Sequence, residues 1–128
     1  METGAEIVKS LLAALQQRDG ARVAALLHPE VVATGARGEK HGVEEVVAWA
    51  QPSADGHLIS SVEVDEVLEI GEDWVAVAAR RRWSWSETAE VADEQGFGVL
   101  FGIRDGKVVR WDQTYGSLAD AIDAIPAS

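Results

Sequence analysis

Apolar residues recur at helical spacing in the first quarter of the chain. Thr3 and Glu6 stand at the separation of a capping box, and apolar positions follow every three or four residues to about Gln17. Asp19 is a candidate N-cap for a second helix, whose apolar stripe stops before Pro29. Two consecutive helices are therefore predicted at the start of the molecule.

The next segment combines one strand with one helix. Residues 31–36 form a short apolar run typical of a strand, and Gly35 and Gly38 indicate a loop after it. Over 42–51, valines and an alanine fall on one face, which predicts a third helix. The cluster of proline, serine and glycine over 52–56 indicates a loop.

The second half of the chain has the pattern of strands. Four apolar or alternating runs predict strands over 58–70, 74–86, 97–104 and 107–115. The polar stretch 87–94 is predicted to be a loop, whereas Asp105-Gly106 is a strong hairpin signal. Ser117 has the position of another helix cap and opens a short last helix to about Ile125.

Helices near the N-terminus followed by a meander of antiparallel strands indicate the α+β class. No internal repeat and no linker divides the 128 residues, so we expect one domain over 1–128.

Several short pieces resemble the SnoaL-like branch of the NTF2-like superfamily, in an order that spans nearly the whole chain. They are Gly42 and the stretches 15–20, 26–32 and 103–111. The resemblance implies a cone, or cystatin-like half barrel, in which N-terminal helices pack on a strongly curved antiparallel sheet around a pocket. It also implies frequent dimerisation through the outer face of the sheet. Members include ketosteroid isomerases, limonene-epoxide hydrolases, polyketide cyclases and dehydratases, so the fold does not decide the function.

The catalytic set of the ketosteroid isomerases is missing from the matching positions. Those enzymes use a carboxylate base, a tyrosine and a protonated aspartate. The resemblance carries the base to Gly35, the tyrosine to Leu11, and the acid to Val99 or Leu100. None of these has a polar side chain, so we expect no isomerase mechanism of that type.

The catalytic set of the epoxide hydrolases is incomplete as well. The resemblance carries its Asp-Arg-Asp positions to Ala79, Arg81 and Gln113, and an amide cannot act as general base. Asp112 is adjacent to Gln113, but one step along a strand points it to the opposite face. Only a shifted register would bring that carboxylate into the set.

The inward strand positions predict an aromatic pocket with one cation and one amide. Alternation gives Trp111, Gln113 and Tyr115 a common face on the last strand. Such a lining suits an apolar or aromatic ligand with a carboxylate, phenolate or carbonyl, which Arg81 would pair and Gln113 would orient. The candidate pocket residues are Arg81, Trp83, Phe97, Val99, Phe101, Trp111, Gln113 and Tyr115.

The same residues also admit a structural interpretation. Trp83 and Trp111 would then fill the cone as core residues. Arg81 would neutralise a buried acid such as Glu66 or Asp112, because a buried arginine needs a partner whether or not a ligand exists.

Two strand registers stay open in the sequence. A two-residue turn at Asp105-Gly106 would put the glycine-containing face of the preceding strand beside Trp111. A three-residue turn with a Gly106 bulge would put Phe97, Val99 and Phe101 there, and we favour it because it buries the more apolar set.

The second open register concerns the adjacent acids Asp65 and Glu66 in the middle of a predicted strand. One of them points inward unless a bulge intervenes. We favour a β-bulge that turns Val67 inward over an inward Glu66 acting as an acid.

Catalysis would have to recruit groups outside the inherited sets. The candidates are Arg81, Gln113, Tyr115 and His41, of which His41 lies before the third helix, where a pocket mouth is expected. The histidines lack the spacing of a metal-binding helix, and the chain has no cysteine. We therefore predict no metal site and no cofactor.

The net charge of −11 narrows the range of partners. The acids are spread along the chain and repel phosphate groups, so neither nucleic acid nor an anionic membrane is expected as a partner. No apolar run approaches the roughly 20 residues of a membrane span, and the N-terminus has no signal-like core. A cytoplasmic location is expected, which the lack of cysteine also fits.

The predicted function is binding of a small apolar or aromatic ligand, which can be anionic. The alternatives are a cofactor-free isomerase, cyclase, dehydratase or hydrolase, and a structural dimerisation module with a filled cavity. We expect a homodimer, because outward positions of the strand over 74–86 are apolar at Trp74, Ala76 and Ala78. Light scattering that finds a monomer at micromolar concentration would contradict it.

Overall fold

In the part of the chain that the structure describes, four helices flank one six-stranded sheet. The computed structural model describes residues 3–35, 38–50, 58–71, 73–85 and 91–125, with side chains except those of 58–62, 83–85 and 91–93. The elements are α1 (Gly4–Gln16), α2 (Gly20–Leu26), β1 (Leu27–Gly35), β2 (Gly38–His41), α3 (Val43–Ala50), β3 (Leu58–Ile70), β4 (Trp74–Trp85), β5 (Val91–Arg104), β6 (Lys107–Tyr115) and α4 (Leu118–Asp123).

The strands lie in the order β2-β1-β6-β5-β4-β3. All neighbouring pairs are antiparallel except β1 with β6, which is parallel. This curved, unclosed sheet with its helices is the α+β arrangement predicted from the sequence. None of the helices described is long and apolar enough to cross a membrane.

The first two helices begin at the caps predicted for them. The Thr3 hydroxyl accepts a hydrogen bond from the Glu6 amide at 3.2 Å, and the Glu6 carboxylate accepts one from the Thr3 amide at 3.3 Å. This is a complete capping box. The Asp19 carboxylate accepts from the Arg22 amide at 3.1 Å at the start of α2.

The first strand begins at Leu27, earlier than the predicted Val31. Leu27 has an extended backbone, with φ −97° and ψ 138°, and is 1% exposed. It pairs with Val108 of β6, so burial in the sheet outweighs the helical stripe that continues toward Pro29. Pro29 is tolerated in the strand because the β1–β6 ladder is irregular around it.

Two strand segments lie where loops were predicted. β2 pairs with β1 from Gly35 and Gly38 onward, over a stretch with no apolar alternation. β5 begins at Val91, and its added residues pair with β4 as far as Ser84. β2 is an exposed edge strand, and residues 94–96 of β5 are exposed too. The burial pattern that reveals a strand is therefore weak in both places.

The sheet is covered on both faces. The inner face carries Val75, Val77 and Phe101, which belong to a buried cluster with α1 side chains such as Leu11. The outer face carries Ala76 and Leu100, both 0% exposed, in a second cluster with apolar side chains of α4. The chain therefore shields part of its outer face with its own last helix.

A bulge in β3 decides which of its side chains face inward. The pairing of β3 with β4 shifts by one residue between Val64 and Glu66, which leaves Asp65 as the bulge. Val64 and Val67 both pack against the inner cluster, and Glu66 is exposed. The bulge and the inward Val67 predicted from the sequence are confirmed.

The β5–β6 hairpin has a two-residue turn, so the three-residue turn that we favoured is wrong. Arg104 pairs with Lys107 across the turn. Asp105 and Gly106 have φ values of 54° and 74°, and positive φ at both central positions is what a type I′ turn requires.

The aromatic residues of β5 nevertheless face inward. The pairing shifts by one residue beside Val109, so Phe101 comes to stand opposite Trp111. The predicted burial is thus reached by a bulge within β6 and not by a longer turn.

Candidate ligand-binding site

Three aromatic side chains form a row on the inner face. The ring centroids of Phe101 and Trp111 are 5.6 Å apart. Trp49 of α3 continues the row, with its centroid 5.2 Å from that of Trp111 and an interplanar angle of 82°. Edge-to-face pairs of this kind add stability beyond the area they bury. Phe101 and Trp111 are buried, whereas Trp49 is half-buried and forms the accessible end of the row.

Trp49 is a candidate site residue that the sequence analysis missed. It follows Val46, which is 0% exposed, by three positions, and this spacing puts both on one helix face. Its indole lies over Gly35 of β1, where a Cβ would be 3.0 Å from Cζ2 and 3.2 Å from Nε1. The spacing from Val46 was the signal that could have found it.

Arg81 lies beyond this row, farther along β4, on the inner face. Its guanidinium carbon is 5.4 Å from the centroid of the Phe97 ring, a cation–π contact. Its Nε is buried and has no hydrogen-bond partner among the described residues. A buried donor without a partner is costly, and such an atom calls for an explanation.

Neither acid proposed to neutralise Arg81 does so. Glu66 is exposed beyond the β3 bulge and pairs with Ala78 of the outer-face set. Asp112 pairs with Leu100, whose side chain belongs to the outer-face cluster. Both carboxylates therefore lie on the other side of the sheet from Arg81, and the structural interpretation of this residue is wrong in that form.

Two more predicted pocket residues lie on the inner face, and the side chain of a third is not described by the structure. Val99 is 5% exposed in the inner cluster, and the half-buried Phe97 packs against it. The backbone of Trp83 pairs with Ser60 in the sheet, but its side chain lies outside the described residues.

The predicted common face of Trp111, Gln113 and Tyr115 is wrong. Pairing between β5 and β6 shifts again after Asp112, so Tyr115 comes to stand opposite Gly98. Tyr115 packs in the outer-face cluster, while Trp111 belongs to the inner one. Gln113 is half-buried at this irregularity. Alternation fails here because the pairing shift breaks the period of two.

Tyr115 and Asp112 form a hydrogen-bonded pair on the outer face. The Tyr115 hydroxyl donates to Asp112 Oδ2 at 2.9 Å, and the Thr114 hydroxyl donates to Oδ1 at 2.8 Å. Burial alone would raise the pKa of Asp112, but hydrogen bonds from Thr114, Tyr115 and Arg110 outweigh it and hold that pKa below its usual range. Burial, and then the adjacent carboxylate, raise the pKa of Tyr115.

His41 is not brought to the aromatic row. It ends the edge strand β2, with its side chain 64% exposed and Nε2 3.2 Å from a Glu39 carboxylate oxygen. Across the described segments of the chain, no three His, Asp or Glu side chains are grouped as metal ligands would be.

A wide groove runs along the hairpin end of the sheet, away from Arg81. Its volume is about 1280 Å³, and it passes Trp74, Gly102 and Arg110. The guanidinium of Arg110 lies 5.6 Å from the Trp74 ring centroid and also bonds to Asp112, so its charge is already matched. Neither Arg81 nor the aromatic row lines this groove.

The family model described as the SnoaL-like domain matches residues 8–111. The chain belongs to the SnoaL-like family. No curated protein matches its sequence significantly.

Solved structures similar to this SnoaL-like protein include two proteins of unknown function and one epoxide hydrolase. An NTF2-like protein of unknown function from Burkholderia pseudomallei has a TM-score of 0.71 and 25% identity, covering 99% of this chain and 100% of that one. An LEH-like epoxide hydrolase of M. tuberculosis has a TM-score of 0.65 and 16% identity, with coverage of 91% and 84%. An NTF2-like protein of unknown function from Cytophaga hutchinsonii has a TM-score of 0.67 and 12% identity, covering 90% of this chain and 92% of that one.

The structure shows what surrounds the positions to which the resemblance carries the two catalytic sets. In this SnoaL-like protein, Trp49 occupies the space that a side chain would need at Gly35, the position to which the resemblance carries the isomerase base. Asp112 is adjacent to Gln113, one of the positions to which the resemblance carries the epoxide-hydrolase set. Its side chain points away from Arg81 to the outer face, as the alternation predicted. A shifted register does not rescue that carboxylate.

The outer face of the SnoaL-like protein has an apolar part and a charged part. Ala76 and Trp74, two of the residues that motivated the homodimer, belong to the apolar cluster that α4 helps to form. Farther along β4, Arg80 bonds to Asp65 at 2.8 Å and to Glu94 at 3.1 Å, within a network that also includes Arg82 and Glu63. The homodimer stays a prediction, but less apolar surface remains free for it than alternation suggested.

Proposed function

We propose that this SnoaL-like protein binds a small apolar or aromatic molecule that carries an anionic group. The observation that carries the proposal is the buried Nε of Arg81, which lacks a partner among the described residues. A carboxylate or phenolate would satisfy this donor with a charge-assisted hydrogen bond. The ring system of the ligand would lie toward Phe97 and the aromatic row.

The surroundings of Arg81 support a ligand that has both an apolar ring system and an anionic group. Phe97 lies against the guanidinium at 5.4 Å, and Val99 continues the apolar surface along β5. Small-molecule sites are commonly apolar with a few polar groups that fix orientation. A module whose cone is filled for structural reasons would need no cation at this position, since an apolar side chain would fill the space without a desolvation cost.

The arrangement of Tyr115 and His41 does not favour a reaction that recruits them together with Arg81. Tyr115 belongs to the outer-face cluster, and His41 is on the edge strand. General acid–base catalysis needs groups within hydrogen-bond reach of one substrate, and these two lie away from Arg81. Binding is therefore the function that we propose.

The proposal is tested by binding of a matched acid and alcohol to variants of Arg81. We expect 1-naphthoate to quench tryptophan fluorescence of the wild type, and Arg81→Met to weaken its binding about ten- to hundredfold, the range for a lost charge-assisted hydrogen bond. Binding of the neutral 1-naphthalenemethanol should change little. Arg22→Met, on the exposed side of α2, removes the same charge and is the control.

Native mass spectrometry of the purified protein gives a second, independent test. A copurified aromatic acid that dissociates on denaturation would supply a natural ligand for the same variants. Equal binding of 1-naphthoate by the wild type and by a folded Arg81→Met would contradict the proposal.

A further inference from the structure

We infer that Trp49 sets the size of the ligand by filling the space above Gly35 at the open end of the aromatic row. The inference rests on the proposed function, because it concerns the same inner face. It adds a specificity-determining residue, on a helix that contributed nothing to the predicted pocket.

The contact with Gly35 shows that the indole occupies a side-chain position of the sheet. A Cβ on Gly35 would be 3.0 Å from Cζ2 and 3.2 Å from Nε1 of Trp49, closer than ordinary van der Waals contact. Both atoms belong to one rigid ring that also contacts Trp111, so the whole indole would have to move to admit a Cβ. The glycine and the tryptophan therefore fit each other, and one helical side chain replaces what β1 would otherwise project inward.

The neighbours of Trp49 hold it differently on its two sides. Toward the core it meets Trp111, which is 5% exposed and contacts Phe101, itself 1% exposed. Trp49 itself is half-buried. Because the inner members of the row are fixed by packing, Trp49 is the member whose size can change without emptying the centre of the core.

A second buried contact of α3 allows the effect of Trp49 on ligand size to be separated from its effect on stability. Val46 on the same helix face is 0% exposed and belongs to the inner cluster. The helix therefore keeps its own buried contact when the indole is shortened. Shortening Trp49 should enlarge the space for a ligand while Arg81, on β4, still receives the anion.

Calorimetric binding of three acids of increasing ring size tests the inference. Benzoate, 1-naphthoate and pyrene-1-carboxylate share the carboxylate and differ in area. We expect Trp49→Ala to improve the binding of pyrene-1-carboxylate relative to benzoate by at least about tenfold, a change typical of pocket size, with Trp49→Phe between it and the wild type. Trp74→Ala removes an indole from the outer face and should leave the ranking unchanged.

A comparison of thermal midpoints in single and double variants tests the fit between Gly35 and Trp49 without any ligand. Gly35→Val should lower the thermal midpoint of the wild type by roughly 5 °C or more, because the added side chain overlaps the indole. In a Trp49→Ala background the same valine should be neutral or stabilising, since it enters the vacated space.

The outcomes separate the two ideas. Loss of 1-naphthoate binding in Arg81→Met, with an unchanged size ranking in Trp49→Ala, would overturn the inference and leave the proposed function standing. Additive effects of Gly35→Val and Trp49→Ala on the midpoint would also overturn it. Absence of acid binding in the wild type and in both Trp49 variants would overturn the proposed function and the inference together.

Discussion

Arg18 holds a backbone conformation that favours glycine. It follows the C-cap of α1 with φ 56°. Its amide donates to the Leu15 carbonyl at 3.2 Å, and the Asp19 amide donates to the Ala14 carbonyl at 3.0 Å. These two bonds form a Schellman motif, in which glycine is the usual residue because a Cβ costs energy at positive φ.

Arg18→Gly should therefore stabilise the protein. We expect the free energy of unfolding to rise by about 1 kcal/mol, as the left-handed strain of a non-glycine residue is removed. Urea unfolding followed by circular dichroism measures it. Arg22→Gly is the control. It puts a glycine inside α2 and should lower the free energy of unfolding by about 1 kcal/mol. A loss of stability in Arg18→Gly would show that its side chain contributes more than the strain costs.

For Arg81, the sequence predicted the face of the sheet on which the residue lies but not its surroundings. Alternation along β4 was enough to put Arg81 on the face of Val75 and Val77. Its lack of a partner depends on where Glu66 and Asp112 point, and pairing shifts in two other strands decide that. Such long-range placement has no local signal in the chain.

The docking of α4 depends on Gly98 of β5. A Cβ built there would overlap the Ser117 carbonyl oxygen at the start of the helix. This contact brings α4 onto Ala76 and Leu100, which it buries completely. A helix of six residues has little stability of its own, so its position rests on this close approach.

Gly98→Ala should loosen α4 from the sheet. We expect a loss of about 2 kcal/mol in the free energy of unfolding, the usual scale of overpacking, and faster proteolysis within the last helix. Gly96→Ala is a matched control on the same strand, because a Cβ there meets no described atom within 4 Å. That control should change stability by less than about 1 kcal/mol. Equal effects of the two substitutions would contradict the role of Gly98.

Sequence patterns predicted these elements well where burial is regular and poorly where pairing shifts. The capping box at Thr3 and the bulge at Asp65 followed from local chemistry and alternation. Tyr115 was placed on the wrong face because one irregularity in β6 moves everything beyond it. The spacing from Val46 could have put Trp49 on the buried face of α3, but its contact with Gly35 has no signal in the chain because glycine presents no side chain.

For the molecule as a whole, the two faces of the sheet have different chemistry. The inner face holds the aromatic row and Arg81, whose Nε lacks a described partner. The outer face holds the apolar patch under α4 and carboxylates that are matched by hydrogen bonds, among them Asp112 and Glu94. Ligand binding and acid stability are therefore expected to depend on opposite sides of one sheet.

The outer carboxylates make stability depend on pH. Hydrogen bonds from Arg82, and then from Arg80, hold the pKa of Glu94 below its usual range. For Asp112, the hydrogen bonds from Thr114, Tyr115 and Arg110 lower the pKa despite burial. When the folded pKa is below the unfolded one, the unfolded chain binds more protons between the two values. The stabilisation is thus complete above the unfolded pKa, about 4, and is lost as pH falls through the folded values.

Asp112→Asn should reduce this dependence as well as the stability at neutral pH. We expect a loss of about 2 kcal/mol at pH 7, because hydrogen bonds to a charged acceptor become weaker neutral ones. Between pH 5 and pH 3, within roughly the range where carboxyl groups titrate, the variant should lose less further stability than the wild type. Urea midpoints across this range give both quantities. Glu66→Gln, an exposed acid of β3, is the control and should follow the wild-type slope. A parallel pH dependence of Asp112→Asn and the wild type would mean that Asp112 is not the group whose protonation destabilises the outer face.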